Sequence, residues 1–270
     1  MINNSNKWIL QIANFIAVII TVIVNSLANI LPINNKLTAE ISDSIPNLFV
    51  PTGLTFSIWG IIYILLFIFA FYQIRDIFKK EKIDMPYLKK ISFLFILASL
   101  ANILWIFLWH YEQIILSILA MILLFFSLLF IYLRLNIGKS HVSLKEKLCV
   151  HVPFSVYIGW ITVATIANVT ALLVKIGWDG FGISQQTWTI LLLIIATIIT
   201  ILILFTRRDY AYSAVIIWAL IGIYLKRITD DTIFGVQTQI ANIALILIFI
   251  ILIIAILTAV FQYRKNKIKT

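Results

Sequence analysis

Long apolar runs separated by short polar segments make up almost the whole chain. A helix needs roughly 20 apolar residues to cross a hydrocarbon core of about 30 Å, and eight runs are close to that length. The pattern lacks the period-two alternation of a transmembrane strand. It therefore predicts an all-α, polytopic membrane helix bundle with eight transmembrane helices. The predicted spans are Trp8 to Leu31, Leu54 to Gln73, Leu88 to Trp109, Gln113 to Leu133, Val150 to Val174, Thr187 to Phe205, Tyr210 to Leu225 and Gln239 to Gln262.

The composition excludes a water-soluble fold. Hydrophobic residues make up 62% of the 270 residues and charged residues only 12%, with a mean hydropathy of +1.06. A soluble domain is nearer half apolar and a quarter charged. The single cysteine, Cys149, cannot form an internal disulfide. The first run could also be a cleaved signal peptide, but its apolar region is too long and its basic end too weak, so we expect a membrane anchor.

The basic residues predict the orientation of the spans. Of the 21 Lys and Arg residues, 17 fall at the end of the bundle that holds both termini, and four fall at the other end. By the positive-inside rule, both termini are expected in the cytoplasm of a multi-pass protein of the cell membrane. The net charge of +10 then indicates anionic membrane lipid as a partner and argues against nucleic acid.

The acidic residues argue against coupled transport and catalysis. All eleven are predicted in loops or at helix ends, including Asp230 and Asp231. Coupled transporters commonly hold an acid inside the membrane. No zinc or aspartyl hydrolase motif and no phosphate-binding loop is present. We expect no enzyme activity, no catalytic residue and no cofactor. His110 with Glu112 could hold a metal or haem, but an interfacial His beside a solvated Glu is the preferred interpretation, so no metal site is predicted.

Amide and aromatic side chains cluster by depth in the membrane. At about 1.5 Å per residue, five of these side chains fall roughly 5 to 10 Å below the outer surface, namely Asn25, Trp59, Asn102, Trp105 and Asn168. Tyr63 and Ala164 fall about one turn deeper, and Trp160 falls near the middle. Such a layer is typical of a cavity for a flat, mostly apolar ligand. The alternative is that the Asn side chains pair between helices and the Trp side chains fill the core. Trp8, Trp109, Trp178 and Trp188 are expected to be interfacial anchors.

Three segments resemble the TspO/MBR family, the tryptophan-rich sensory proteins related to the mitochondrial translocator protein (peripheral benzodiazepine receptor). Pro51 to Tyr63 resembles P-x-x-x-x-F followed by W-x-x-x-Y. Asn102 to Trp105 resembles N-x-x-W, and Trp160 to Asn168 resembles W-x-x-x-A-x-x-x-N. The spacing from Phe56 to Trp59 is one residue shorter than the family pattern.

The resemblance covers Trp8 to Val174, which corresponds to the five-helix unit of the family. It implies a domain over 1–175 and a three-helix extension over 176–270, as in a longer bacterial branch. It also implies a pocket for tetrapyrroles such as protoporphyrin IX, or for sterol-like ligands, closed by the first loop. A homodimer is left open. The residues carried over as pocket-lining are Trp59, Asn102, Trp160, Ala164 and Asn168. Tyr63 and Trp105 are added because they are predicted at a similar depth in the membrane.

Three functional hypotheses remain at this point. The first is a ligand-binding membrane sensor or carrier for tetrapyrrole-like molecules. The second is a facilitative permease for a small neutral solute, which is supported by the Asn positions and by a faint repeat, S-L-A-N-I-L, at Ser26 to Leu31 and Ser99 to Leu104. The third is a non-catalytic membrane partner subunit.

Overall fold

The computed structural model describes residues 4–229 and 234–267 of the chain, so Asp230 and Asp231 lie outside the described residues. All regular elements within those ranges are helical. The α-helices are α1 (Asn4–Ile30), α2 (Thr38–Ser44), α3 (Ile58–Gln73), α4 (Pro86–Ile91), α5 (Leu94–His110), α6 (Ile114–Leu135), α7 (Leu144–Glu146), α8 (Val152–Lys175), α9 (Gln185–Arg207), α10 (Tyr210–Thr229) and α11 (Thr238–Lys267).

Seven helical segments in the described ranges are long and apolar enough to cross a membrane. They comprise α1, α3 with its leading turn, α6, α7 joined to α8, α9, α10 and α11. A further apolar helix, α5, is 17 residues long and falls just below that length. The chain is therefore a multi-pass helical membrane protein.

Helix ends follow the local sequence. The Ser184 side chain caps the start of α9 by accepting a hydrogen bond of 3.1 Å from the backbone N–H of Thr187. Asn136, with a φ of 53°, ends α6 in the left-handed conformation, which Asn adopts more readily than most residues. These signals keep the observed ends of α6 and α9 within two residues of the predicted ones.

The third predicted span is not continuous, and the prediction of one helix from Leu88 to Trp109 was wrong. Ser92 has a φ of 50° and a ψ of −142°, outside the helical region, and divides the run into α4 and α5. The backbone N–H of Ser92 still donates to the Leu88 carbonyl oxygen at 2.7 Å, so the last turn of α4 closes normally. The apolar pattern contains no proline or glycine at this point that would reveal the break.

Five helices form a closed ring. Around it, α1 contacts α5, α5 contacts α6, α6 contacts α8, α8 contacts α3, and α3 contacts α1. Phe69, Phe95 and Phe154 bring α3, α5 and α8 together, with ring centroids 5.1 to 5.7 Å apart in edge-on arrangements. This packing fixes the three helices that carry most of the predicted site.

The last three long helices contact one another and join the ring through α10, which packs on α8. Gly159 permits this approach, because a Cβ built there would lie 3.1 Å from the Val215 Cβ. The Ser155 hydroxyl donates to Asp209 at 2.7 Å, and the Tyr212 hydroxyl donates to Thr162 at 3.2 Å. The extension is thus attached by close packing and by buried hydrogen bonds.

Among residues 4–229 and 234–267, three ion pairs join segments at matching ends of the bundle. Lys7 pairs with Asp76 at one end, which we call the basic end, where α1 begins and α3 finishes. Lys36 pairs with Glu112, and Lys226 pairs with Asp43, at the opposite end. The two residues of each pair are predicted on the same side of the membrane.

The Lys7 and Asp76 pair is buried, although Asp76 lies in the loop after α3. Gln11 donates to Asp76 at 2.8 Å, and the backbone N–H of Ile83 donates to it at 2.7 Å. Burial by itself would raise the pKa of Asp76. The hydrogen bonds from Lys7, Gln11 and Ile83, together with the Lys7 charge, outweigh burial and lower this pKa below its usual value.

Candidate functional site

Trp59 is the centre of an aromatic cluster near the opposite end of the bundle. It follows the 3₁₀ turn Gly53–Ser57, which leads the chain into α3. Tyr63, one turn later, stacks on it at 5.7 Å, and Trp105 of α5 stacks on it at 6.3 Å. Trp160 of α8 meets it edge-on at 6.3 Å. Three helices therefore present their aromatic residues to one point.

Trp160 belongs to this cluster, although it was expected near the middle of the membrane. Phe56 also meets its ring edge-on at 5.9 Å, from the turn that precedes α3. Along α5, Trp109 stacks on Trp105 at 5.8 Å, one helical turn away. The fixed i to i+4 spacing brings the two indoles of α5 onto the same face.

A small cavity of about 40 Å³ lies inside this cluster. Five of the seven predicted residues line it, namely Trp59, Trp105, Trp160, Ala164 and Asn168. Tyr63 and Asn102 do not line it. The remaining lining residues are Thr38, Ser42, Pro51, Phe56, Trp109, Val163 and Ala167.

The lining has no charged side chain but holds two hydrogen-bond donors without acceptors. The Nε1 atoms of Trp105 and Trp160 are buried and make no hydrogen bond within the described residues. A buried donor left unpaired costs about 1 to 3 kcal/mol. The amide of Asn168, by contrast, donates to the Ser117 hydroxyl of α6 at 3.1 Å. Two of the residues that line the cavity therefore carry an indole N–H group without an acceptor.

The loop between α1 and α3, which includes α2, forms a roof over the cavity. Trp109 Nε1 donates to the Thr38 carbonyl oxygen at 3.2 Å, and Asn47 donates to the Thr170 hydroxyl of α8 at 2.6 Å. The ion pair of Lys36 with Glu112 fastens the start of the loop. The hydrogen bond and positive charge of Lys36 lower the pKa of Glu112 below its usual value.

Asn102 makes an interhelical contact outside the cavity lining. Its Oδ1 accepts a hydrogen bond of 2.7 Å from Asn25 Nδ2 of α1. Both side chains are buried. This geometry matches the alternative in which amides pair between helices, and it leaves a direct contact of Asn102 with a ligand as a prediction.

Two residues at the end of α5 that were expected at the membrane interface are buried within the protein. Trp109 is buried and lines the cavity. His110 is also buried, with Nδ1 2.7 Å from the Ile106 carbonyl oxygen and Nε2 3.4 Å from the Thr38 hydroxyl. The roof covers both residues, and a contact between distant segments of this kind is not visible in a local pattern. The four-residue spacing from Trp105 was the available signal for Trp109.

Comparison with known proteins agrees with the sequence resemblance. A family model described as TSPO-like protein matches residues 11–257. The chain belongs to this TSPO-like family. The match extends through α9 and α10 and into α11, so the expectation that the likeness ends near Val174 was too narrow. No curated protein and no solved structure matches the chain.

The cavity lining is largely aromatic and aliphatic. Within residues 4–229 and 234–267, no three His, Cys, Asp or Glu side chains come together as a group that could hold a metal ion. The aromatic faces and the indole N–H groups offer stacking and hydrogen-bond donation to a flat ligand. In this TSPO-like chain they are supplied by α3, α5 and α8, all members of the five-helix ring.

Proposed function

We propose that the protein binds a flat, largely apolar ligand, such as a tetrapyrrole, in the aromatic cavity and acts as a membrane sensor or carrier. The observation that carries this proposal is the pair of unpartnered indole N–H groups, on Trp105 and Trp160, in a cavity whose walls are aromatic. A ligand with carbonyl or carboxylate oxygens would accept from these donors while its ring stacks on Trp59.

Binding requires the roof to move. Pockets for drug-sized ligands usually measure about 300 to 1,000 Å³, whereas this cavity measures about 40 Å³. The cavity enlarges when the loop before α3 moves away from it, because this loop contributes Thr38, Ser42 and Pro51 to the lining. The family resemblance independently assigns the first loop as the closing element, which supports a closed form that opens to admit the ligand.

The direct test is a titration of the purified protein with protoporphyrin IX while tryptophan fluorescence is recorded. Saturable quenching at one ligand per chain is the expected result, since Trp59, Trp105 and Trp160 surround the site. A sterol added in competition separates a general apolar pocket from one selective for tetrapyrroles. Quenching that rises linearly without saturation would contradict the proposal.

The membrane arrangement that accompanies this function has eight spans. We include α5 as the eighth, because α4 and α5, although divided at Ser92, together run from Pro86 to His110. Both termini then lie in the cytoplasm, next to anionic lipid, and the roof faces the outside. We propose binding without catalysis at this site, whose lining holds no charged side chain.

A polar stripe on α1 favours the permease as a second candidate function. Lys7, Gln11, Asn14, Thr21 and Asn25 recur every three, four or seven residues, so they share one face, and all five are buried. Two oxygen atoms in this stripe, Asn14 Oδ1 and Thr21 Oγ1, have no hydrogen-bond partner in the part of the chain that the structure describes. Uptake of glycerol by proteoliposomes, measured by stopped-flow light scattering, tests this candidate. Uptake no faster than in protein-free liposomes would exclude glycerol as its solute.

A further inference from the structure

A second and larger cavity lies between α8 and α9, outside the aromatic cavity described above. It is a groove of about 490 Å³, within the usual range for drug-sized ligands. Helices α8 and α9 follow one another in the chain, yet both pack on α10 and leave space between them. The loop Gly177 to Ile183 closes one end of the groove.

The walls of the groove are suited to a hydrocarbon chain. Val169 and Leu173 of α8 face Leu192 of α9 across it. The wall hydroxyls are already used within their own helices: Thr165 donates to the Ile161 carbonyl oxygen at 2.7 Å, and Thr189 donates to that of Gln185 at 2.9 Å. The walls therefore make little demand for a polar occupant.

The loop end of the groove has a different chemistry. Trp178 and Trp188 lie 5.3 Å apart with their rings inclined at 50°, and Phe181 meets Trp178 edge-on at 5.3 Å. A hydrogen bond of 2.9 Å from Trp188 Nε1 to the Gly180 carbonyl oxygen holds the loop in place. Asp179 lies between the two tryptophans in sequence and is the only charged residue in the lining.

The Asp179 carboxylate is oriented by its own loop. Its Oδ1 accepts a hydrogen bond of 3.0 Å from the backbone N–H of Phe181, and its side chain is otherwise exposed. A single negative charge beside aromatic faces attracts an ammonium group by charge and by the cation–π interaction. The same charge repels a phosphate or carboxylate, for which the lining provides no cation.

We propose that the groove binds a cationic amphiphile of drug size. Its ammonium group lies against Asp179 and the rings of Trp178 and Trp188, and its apolar tail lies between α8 and α9. This site is separate from the aromatic cavity, which uses Ala164 and Asn168 on another face of α8, although Asn47 and Leu48 of the roof also line the groove. The two proposals are tested with different ligands, decyltrimethylammonium for the groove and protoporphyrin IX for the aromatic cavity.

Equilibrium dialysis of radiolabelled decyltrimethylammonium against the full chain in neutral maltoside micelles tests the proposal, with uptake by protein-free micelles subtracted. We expect saturable binding of one molecule per chain. Asp179→Asn keeps the oxygen that accepts from Phe181 and should weaken binding about tenfold. Trp178→Leu should weaken it similarly. Glu81→Gln removes an exposed carboxylate from the other end of the bundle and should leave binding unchanged.

A charge reversal gives a gain-of-function test. Asp179→Lys should lose decyltrimethylammonium and acquire saturable binding of decyl sulfate, which the wild-type groove should reject. Melting temperature identifies any variant that fails to fold. Equal binding by wild type and Asp179→Asn would overturn the proposal. The proposal would also be overturned if the wild type bound the uncharged isostere, in which a carbon atom replaces the nitrogen, as tightly as decyltrimethylammonium. Uptake of decyltrimethylammonium no greater than that of protein-free micelles would overturn it as well.

Discussion

The indole N–H of Trp218, on α10, donates a hydrogen bond of 2.9 Å to the backbone carbonyl oxygen of Thr55, in the turn that leads to Trp59. The backbone N–H of Thr52 donates in return to the Gly222 carbonyl oxygen at 3.2 Å, one turn further along α10. The C-terminal helices therefore hold the segment that joins the roof to the aromatic cavity.

Gly222→Ala should disturb this contact. A Cβ at Gly222 would lie 1.9 Å from the Thr55 hydroxyl oxygen and 2.9 Å from the Pro51 Cβ, so the turn would have to move. Forced overpacking of this kind costs about 1 to 3 kcal/mol, and we expect a lower melting temperature. Gly60→Ala on α3 is the matched control, because a Cβ there meets nothing within 4 Å. Equal melting of both variants would show that α10 does not constrain the turn.

Substitution of the cavity tryptophans should separate ring stacking from hydrogen bonding. Trp59→Ala removes the central ring and should weaken protoporphyrin binding by roughly 30-fold, because a buried aromatic anchor typically contributes 2 kcal/mol or more. Trp160→Phe keeps a ring but removes the unpartnered N–H, so a loss of about fivefold is expected. Trp8→Phe, on an exposed position of α1, should bind as wild type. Unaltered affinity in all three would remove the cavity from consideration.

The pair of Asn25 and Asn102 should act on stability more than on affinity. A double-mutant cycle with Asn25→Leu and Asn102→Leu measures their coupling. We expect about 0.6 kcal/mol, the average for hydrogen bonds between membrane helices, and no more than about 1.7 kcal/mol. Melting temperature and protoporphyrin affinity are measured on the same four proteins. A fall in affinity for Asn102→Leu without a fall in melting temperature would instead place Asn102 in contact with the ligand.

Acid should release the ion pair of Lys7 with Asp76. The pKa of Asp76 is lower in the folded protein than its unfolded value of about 3.9. The pair therefore contributes its full stability above about pH 4 and loses it as the pH falls through the folded-state pKa. Asp76→Asn should melt at a lower temperature at neutral pH, and its melting temperature should depend less on pH below about 4. Asp84→Asn, exposed in the same loop, should keep the wild-type profile.

Single-cysteine labelling tests the orientation of the bundle. In a Cys149→Ala background, Lys36→Cys should react with a membrane-impermeant maleimide in intact cells, because the roof is expected outside. Lys82→Cys should react only after the membrane is permeabilised. The reverse pattern would invert the topology and place the aromatic cavity under the cytoplasmic surface.

The sequence alone determined the class of the protein, its helical runs and its family. Crossing a membrane demands long apolar helices, so the span pattern is strong and local, and it located the helical runs now seen as α1, α3, α6, α8, α9, α10 and α11. The break at Ser92 was missed because a left-handed serine leaves no trace in hydropathy. The i to i+4 spacings on α3, α5 and α8 were also local, and they identified five residues that line the cavity.

Tertiary structure decided which of those residues share a wall. Asn102 turns to Asn25 on α1, whereas Trp109 turns into the cavity under Thr38, and both outcomes depend on segments about 70 residues or more away in the chain. The separation of α8 and α9, and with it the groove at Asp179, likewise follows from the packing of both helices on α10. Helix formation satisfies backbone groups within a few residues, but the direction in which a helix face points depends on which partners it meets.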